Sequence, residues 1–291
     1  MATQLDPRRG AGHGSATGPE MSLSGVPQWL SAALAIVAAI AAAGTLFLPG
    51  VLAGTAAMNG SARGTALVVL VVAVPALALA MPWAARGSAR AVIVWLGATM
   101  YLLYNSILFL FATPFNVLFL AYVAMLALSL WAAGAVLWRL DVAALARRFT
   151  PALPVRGLAI YTWAVVALNA LAWLRGVVPG MFAQGTPGFM AGTGLPTSPV
   201  YVQDLAIWLP LAAVAAAWTW RRRTWGYVVT GTMLTFWVFE SLSIAIDQSF
   251  GYTADPTSPA VSPTLIPGFA ALALIGLVPL FFFHRNLDRR D

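Results

Sequence analysis

The side chains that could do chemistry in this chain are few, and most sit inside or at the ends of long apolar runs. Asp204, Glu240 and Asp247 are acids in such positions, and Asn105 and Asn169 are amides near the middle of theirs. Arg175 is the one basic residue near the outer ends of the later runs. A charged residue within a membrane span costs about 2.5–3.5 kcal/mol on insertion scales, so each acid needs a partner or a task. Glu240, Ser243 and Asp247 follow at i, i+3 and i+7, which places them on one helix face. At 1.5 Å per residue, Glu240 lies ~22 Å above Trp225, Asn105 ~21 Å above Ala91 beside Tyr101 and Tyr104, and Asn169 ~18 Å above Gly157. Asp204 opens another run at the same boundary, and Arg175 stands nearly two turns beyond Asn169. The functional reading is an outward-facing polar pocket that binds a ligand through Glu240, Asp247, Asp204, Arg175, Asn105, Asn169 and Tyr104. In it, Arg175 pairs one or more of the acids. The plainer reading is helix–helix adhesion, in which an Asn or Ser bond across helices contributes about 0.6 kcal/mol. Asp204 would then serve as an anion at a helix N-terminus.

Sharper chemistry is excluded by what is missing. Without cysteine there are no disulfides, thiolate metal sites or cysteine nucleophiles. The two histidines, His13 and His284, flank the apolar runs, so histidine-ligated haem or metal within the membrane is not expected. No nucleophile elbow, Walker loop, zinc-protease motif or dinucleotide fingerprint occurs. Gly188–Gly192 matches a G-x-x-x-G spacing but lies outside any apolar run, and Asn59-Gly60-Ser61 fits a glycosylation acceptor on the outer side. No cofactor or metal is expected.

These residues need a scaffold that can hold them in lipid, and the composition provides one. Of the 291 residues, 60% are apolar and 9% charged, with mean hydropathy +0.83. Soluble domains carry roughly 25% charged residues, so the expected fold is an all-α polytopic transmembrane bundle. Eight spans are predicted: Pro27–Leu48, Thr65–Trp83, Ala91–Phe111, Phe115–Trp138, Gly157–Leu174, Asp204–Trp220, Trp225–Asp247 and Pro267–Phe283. Residues 1–26 read as a disordered cytoplasmic tail, 27–283 as the membrane domain and 284–291 as a basic cytoplasmic tail. All 16 basic residues are arginine, and with the N-terminus inside, all but Arg63 and Arg175 fall on the cytoplasmic side. The net charge of +7 is therefore a topological signal, and no nucleic-acid partner is expected.

Local signals refine this drawing. Trp218, Trp220, Trp225 and Tyr227 bracket Arg221–Arg223 as an interfacial aromatic belt would. Thr113–Pro114 reads as a tight connection with Thr113 as N-cap, joining spans three and four into a hairpin. Pro75 and Pro210 predict kinks. Ala35, Ala39 and Ala43 form a small-residue face in span one. Val142–Phe149 reads as a brief interfacial helix. The two halves do not match in their polar positions, so no internal repeat is expected. Two long outer segments, Arg175–Gln203 and Gln248–Ile266, keep enough apolar residues to pack back over the bundle.

The stretch Tyr104-Asn105, Phe115-Asn116-Val117-Leu118-Phe119-Leu120-Ala121-Tyr122-Val123, Asp204-Leu205, Leu209-Pro210 and Arg221-Arg222-Arg223-Thr224-Trp225-Gly226-Tyr227 resembles a group of uncharacterised bacterial integral membrane proteins. The resemblance covers roughly the middle half of the chain. It implies a bacterial plasma-membrane address and no mechanism. Three classes of function fit: binding or transport of a small molecule, a non-catalytic membrane partner or assembly subunit, and an intramembrane enzyme acting on lipid-linked substrates. The absence from the sequence of a detectable repeat and of paired Gly/Pro-broken spans, which mark many secondary carriers, counts against transport.

Overall fold

The computed structural model describes residues 23–287. The expected N-terminal tail therefore lies outside the described residues, except for its last few. Among the described residues the chain forms helices and no strand. We number them α1 (Val26–Phe47), α2 (Ala56–Ala85), α3 (Ala89–Phe111), α4 (Phe119–Arg139), α5 (Val142–Arg147), α6 (Val155–Gly180), α7 (Pro199–Trp220), α8 (Thr224–Ala254) and α9 (Leu265–Arg285). All but α5 are long and apolar enough to cross a membrane. The expected bundle of eight spans is present, and α5 is the predicted short helix, capped by Asp141 through a 2.8 Å bond from the Ala144 N–H.

Several helices outrun their predicted ends. α2 begins at Ala56, so Asn59 and Arg63 are helical residues and not loop residues. Asn59 is fully engaged: its Oδ1 accepts from Gly54 N at 3.0 Å and its Nδ2 donates to Leu52 and Gly54 carbonyls, which does not suit a glycosylation acceptor. α8 runs for 31 residues, about 46 Å, which puts Glu240 near its midpoint. The α3–α4 turn also differs from expectation. Thr113 Oγ1 bonds back to the Phe109 carbonyl at 2.6 Å, and Asn116 Oδ1 instead receives the Leu118 N–H at 2.9 Å. The buried face of α1 is Leu34, Ala38, Ala41, Ala42 and Thr45, rotated from the alanine row expected.

The arginine-rich links gather at one face. Arg90 bonds the Leu287 carbonyl at 2.9 Å, Arg148 bonds the Gly87 carbonyl, and Phe149 pairs with Leu287 while its ring stacks on Tyr227. Tyr227 is thus interior and does not belong to an exposed belt, whereas Trp220 and Trp225 remain exposed. At the opposite face the two long outer loops do pack back, with Met190 and Val261 buried and Thr55 Oγ1 bonding the Gly192 carbonyl at 3.1 Å. Met181 and Phe182 stay exposed.

The polar positions of the two halves do not match, yet two stretches of backbone repeat locally. α2 contains a π-helical turn at Val69–Ala73 followed by Pro75, and α7 contains one at Asp204–Trp208 followed by Pro210. The offset is 135 residues in each case, the separation that also relates Asn105 and Glu240. In both turns the N–H after the π segment reaches five residues back, Val74 to Val69 and Leu209 to Asp204. Both helices then close on an arginine of the same conformation, Arg86 (φ −83, ψ 10) and Arg221 (φ −85, ψ 8). The next residues, Gly87 (φ 87) and Arg222 (φ 54), are both left-handed, and Arg222 is the one described non-glycine residue with positive φ. Pro75/Pro210, Trp83/Trp218, Arg86/Arg221 and Ser106/Ser241 are identical at this offset. The repeat escapes a residue-by-residue reading because it is carried by backbone geometry and not by polar side chains.

Equivalent positions touch across the α3–α8 seam. The Asn105 amide meets Glu240, and a Cβ placed on Gly97 would stand 3.2 Å from the carbonyl oxygen of its counterpart, Thr232. Contacts are also exchanged: Tyr101 packs edge-on against Phe239 at 5.9 Å, and its mate Phe236 packs on Tyr104 at 5.4 Å. Such reciprocal contacts are the mark of a two-fold relation.

Candidate functional site

Of the four groups expected to converge, Asp204 and Asp247 come near Glu240 at this seam. Asn105 Nδ2 donates to Glu240 Oε2 at 3.2 Å and to the Tyr101 carbonyl at 3.0 Å. One turn along α8, Ser243 Oγ receives the Tyr101 hydroxyl at 2.9 Å. Asp204 comes from the π turn of α7, where it is buried and accepts the Trp173 Nε1 proton at 2.8 Å. The Tyr104 phenol lies beside it, and both Asp204 and Asp247 stand close enough to act electrostatically on Glu240. The π turn explains this placement. Widening one turn of helix re-aims its side chains, and π bulges occur frequently at functional sites.

Aromatic rings and outer-loop contacts hold the acids in place. Trp208 stacks on Phe236 at 5.2 Å and leans on Tyr104 at 6.0 Å, while its Nε1 bonds Gln203. Trp173 stacks on Tyr201 at 4.2 Å, and Phe189 of the outer loop stacks on the same ring. Gln248 donates to Asp247 at 3.0 Å and accepts the Ser262 N–H at 2.9 Å, which ties the second outer loop to the site. Glu240 and Asp247 are half-buried, whereas Asn105, Ser243 and Tyr101 are enclosed.

The backbone of α8 at this level is pinned by α2. Gly60 and Gly64 face it so closely that a Cβ on Gly64 would stand 2.6 Å from Asp247 Cα, and one on Gly60 2.5 Å from the Phe250 carbonyl oxygen. Ser61 Oγ reaches the Asp247 carbonyl at 3.3 Å. This is a small-xxx-small contact of the kind that lets membrane helices approach closely. Gly60-Ser61-Ala62-Arg63-Gly64 is the G-x-x-x-G motif the sequence reading passed over, because hydropathy placed it outside a span.

Two expected members are not assembled. Arg175 is exposed on α6, and no arginine figures among the groups acting on Asp204, Glu240 or Asp247, so the anticipated ion pair is absent among the described residues. Asn169 lies on α6 with a buried Oδ1 that has no hydrogen-bond partner, and no bond joins it to the acids among the described residues. Gln203, Trp173 and Trp208 were not anticipated; a polar residue at a span boundary was the only available signal. A cavity of about 380 Å³ opens among Thr55, Met58, Asn59, Pro114 and Thr193, and none of the acids lines it. No set of three acids or histidines among the described residues is disposed to hold a metal ion.

The chain matches no family model, and comparison with curated proteins and with solved structures returned no match.

Proposed function

We propose that this is a bacterial plasma-membrane protein with both termini cytoplasmic, and that it binds and carries a small molecule through a polar crevice centred on Glu240. The arginine split between the two faces supports the orientation, since positive residues are retained on the cytoplasmic side. The observation that carries the function is the pair of helices broken at positions 135 residues apart, at Val69–Ala73 with Pro75 and at Asp204–Trp208 with Pro210, in a bundle whose α3–α8 seam holds the Asn105–Glu240 contact. Interrupted helices in corresponding halves, with the ligand site at the repeat interface, are the architecture of many secondary carriers. A purely adhesive role would not call for three acids gathered without a basic partner, given what each costs in lipid.

The natural absence of cysteine makes the test direct. Single-cysteine variants at Glu240 and Asp247 are treated with a membrane-impermeant thiol reagent in right-side-out and inside-out vesicles, with Ser129→Cys, a fully buried site on α4, as control. A carrier should be modified from both sides, a static pocket from the outside only, and a dry bundle from neither. Modification from neither side, with the variants inserted and folded, would refute the proposal.

A further inference from the structure

The polar atoms around the Asn105–Glu240 contact are unbalanced in one direction. The donors are already spent: Asn105 Nδ2 on Tyr101 and Glu240, Trp173 Nε1 on Asp204, Gln248 Nε2 on Asp247, and the Tyr101 hydroxyl on Ser243. What remains is acceptor capacity. An ionised carboxylate offers about four lone-pair sites on its two oxygens, far more than the bonds made here. Asn105 itself is fully buried, its side chain is directed at Glu240, and its Oδ1 has no hydrogen-bond partner at all. A buried carbonyl of this kind needs an N–H or O–H brought to it, since leaving it unpaired forfeits its hydration.

Charge points the same way. Asp247 and Asp204 both lie near Glu240, and no arginine among the described residues acts on any of the three. The wall beside them is aromatic, with the Tyr104, Trp208 and Phe236 rings packed together and Tyr101 against Phe239. The faces of aromatic rings attract organic cations. A divalent metal would require several acid or histidine ligands converging on one point, which the described residues do not supply.

We infer that the ligand of this crevice is a small organic cation bearing N–H groups, a protonated amine, held between Glu240 and the free Oδ1 of Asn105. The inference rests on the crevice proposed above and adds its ligand class. The ammonium donates to the Glu240 carboxylate and to Asn105 Oδ1, while Asp204 and Asp247 supply longer-range attraction. Because Asn105 and Glu240 are related by the same 135-residue offset as the two π turns and meet across the α3–α8 seam, the carboxylate can be supplied from either helix. Exchanging the two residues leaves the same pair of groups in the same place.

The test uses the full-length protein in nanodiscs and titration calorimetry with phenethylammonium, ethylammonium, tetramethylammonium and acetate as probes. Phenethylammonium and ethylammonium should bind saturably, and tetramethylammonium, which has the charge but no N–H, roughly tenfold or more weakly. Glu240→Gln should weaken phenethylammonium binding by roughly 10- to 100-fold, the loss of one charge-assisted hydrogen bond. The double exchange Asn105→Glu with Glu240→Asn should restore it. No saturable binding of either alkylammonium, or equal binding of tetramethylammonium, overturns the inference. An exchanged variant that folds and does not bind overturns the equivalence of the two positions. If the thiol at position 240 is modified from the membrane surface and yet only acetate binds, or no probe binds, the crevice stands and the amine falls. If that thiol is modified from neither side, the crevice reading itself has failed.

Discussion

Replacing Gly64 by alanine probes the contact that sets the position of Asp247. The added Cβ would lie 2.6 Å from Asp247 Cα, 2.8 Å from the Ile246 carbonyl oxygen and 2.9 Å from Asp247 N. All three are backbone atoms, so no side chain can rotate away. Ordinary carbon–carbon contact is at about 3.5–4.0 Å, and α2 and α8 must therefore part by roughly 1 Å at their crossing. Overpacking of this kind costs about 1–3 kcal/mol, against a gain of about 0.5–1 kcal/mol for removing a helical glycine. The net loss, about 1–2 kcal/mol, corresponds to a melting point roughly 2–8 °C lower at the ~2–4 °C per kcal/mol seen for chains of comparable size. Gly134 on α4 is the control, because a Cβ there meets nothing within 4 Å. Gly134→Ala should melt at or a few degrees above the parent. Gly60→Ala should fall like Gly64→Ala, and the double variant should lose less than the sum, since one separation accommodates both methyl groups. Thermal unfolding in detergent, followed by tryptophan fluorescence, measures all four. If Gly64→Ala is as stable as Gly134→Ala, α2 and α8 are not in backbone contact, and the argument for a pinned Asp247 fails.

Further outcomes follow from single contacts. Arg222→Gly relieves a left-handed arginine at the position where the first repeat already has Gly87, and should raise the melting point by a few degrees, a net of about 0.5–1 kcal/mol; an unchanged or lower melting point would mean the conformation carries no strain. Tyr122→Phe removes the buried 2.6 Å bond to Thr45 and should cost about 1 kcal/mol, leaving the stacking on Phe109 intact. Glu240→Gln keeps a partner for Asn105 and leaves no buried arginine stranded, so it should melt close to the parent, whereas Glu240→Leu strands a buried amide donor and should cost about 1–3 kcal/mol; equal melting of the two would show that the bond contributes nothing. Reporter fusions at the C-terminus and within 185–199 should give opposite sidedness, and the same side for both would overturn the topology.

Much of the bundle was legible in the residues themselves. Runs near the length of the bilayer core define eight spans because insertion depends on summed transfer free energy, a property of composition over a window. Asp141 announces α5, and the prolines mark where α2 and α7 break. The common depth of Asn105, Asp204 and Glu240 also follows from counting residues at 1.5 Å of rise. Depth along a helix is thus readable from one strand of sequence, but rotation about its axis and the choice of neighbour are not. Counting residues puts Arg175 near the level of the acids, but it is exposed and unpaired with them, because the packing of α6 against α7 sets its rotation. Gly60 and Gly64 carried a visible spacing, yet Asn59 and Arg63 lowered the local hydropathy and hid the helix that gives the spacing its meaning. The repeat was the least legible feature, since π turns, cap conformations and reciprocal ring contacts tolerate many side chains. In lipid no hydrophobic force selects which apolar face meets which, so pairing is decided by close backbone approach and a few polar bonds. Those interactions exist only once the helices are side by side, and the seam that joins Asn105 to Glu240 is made of them.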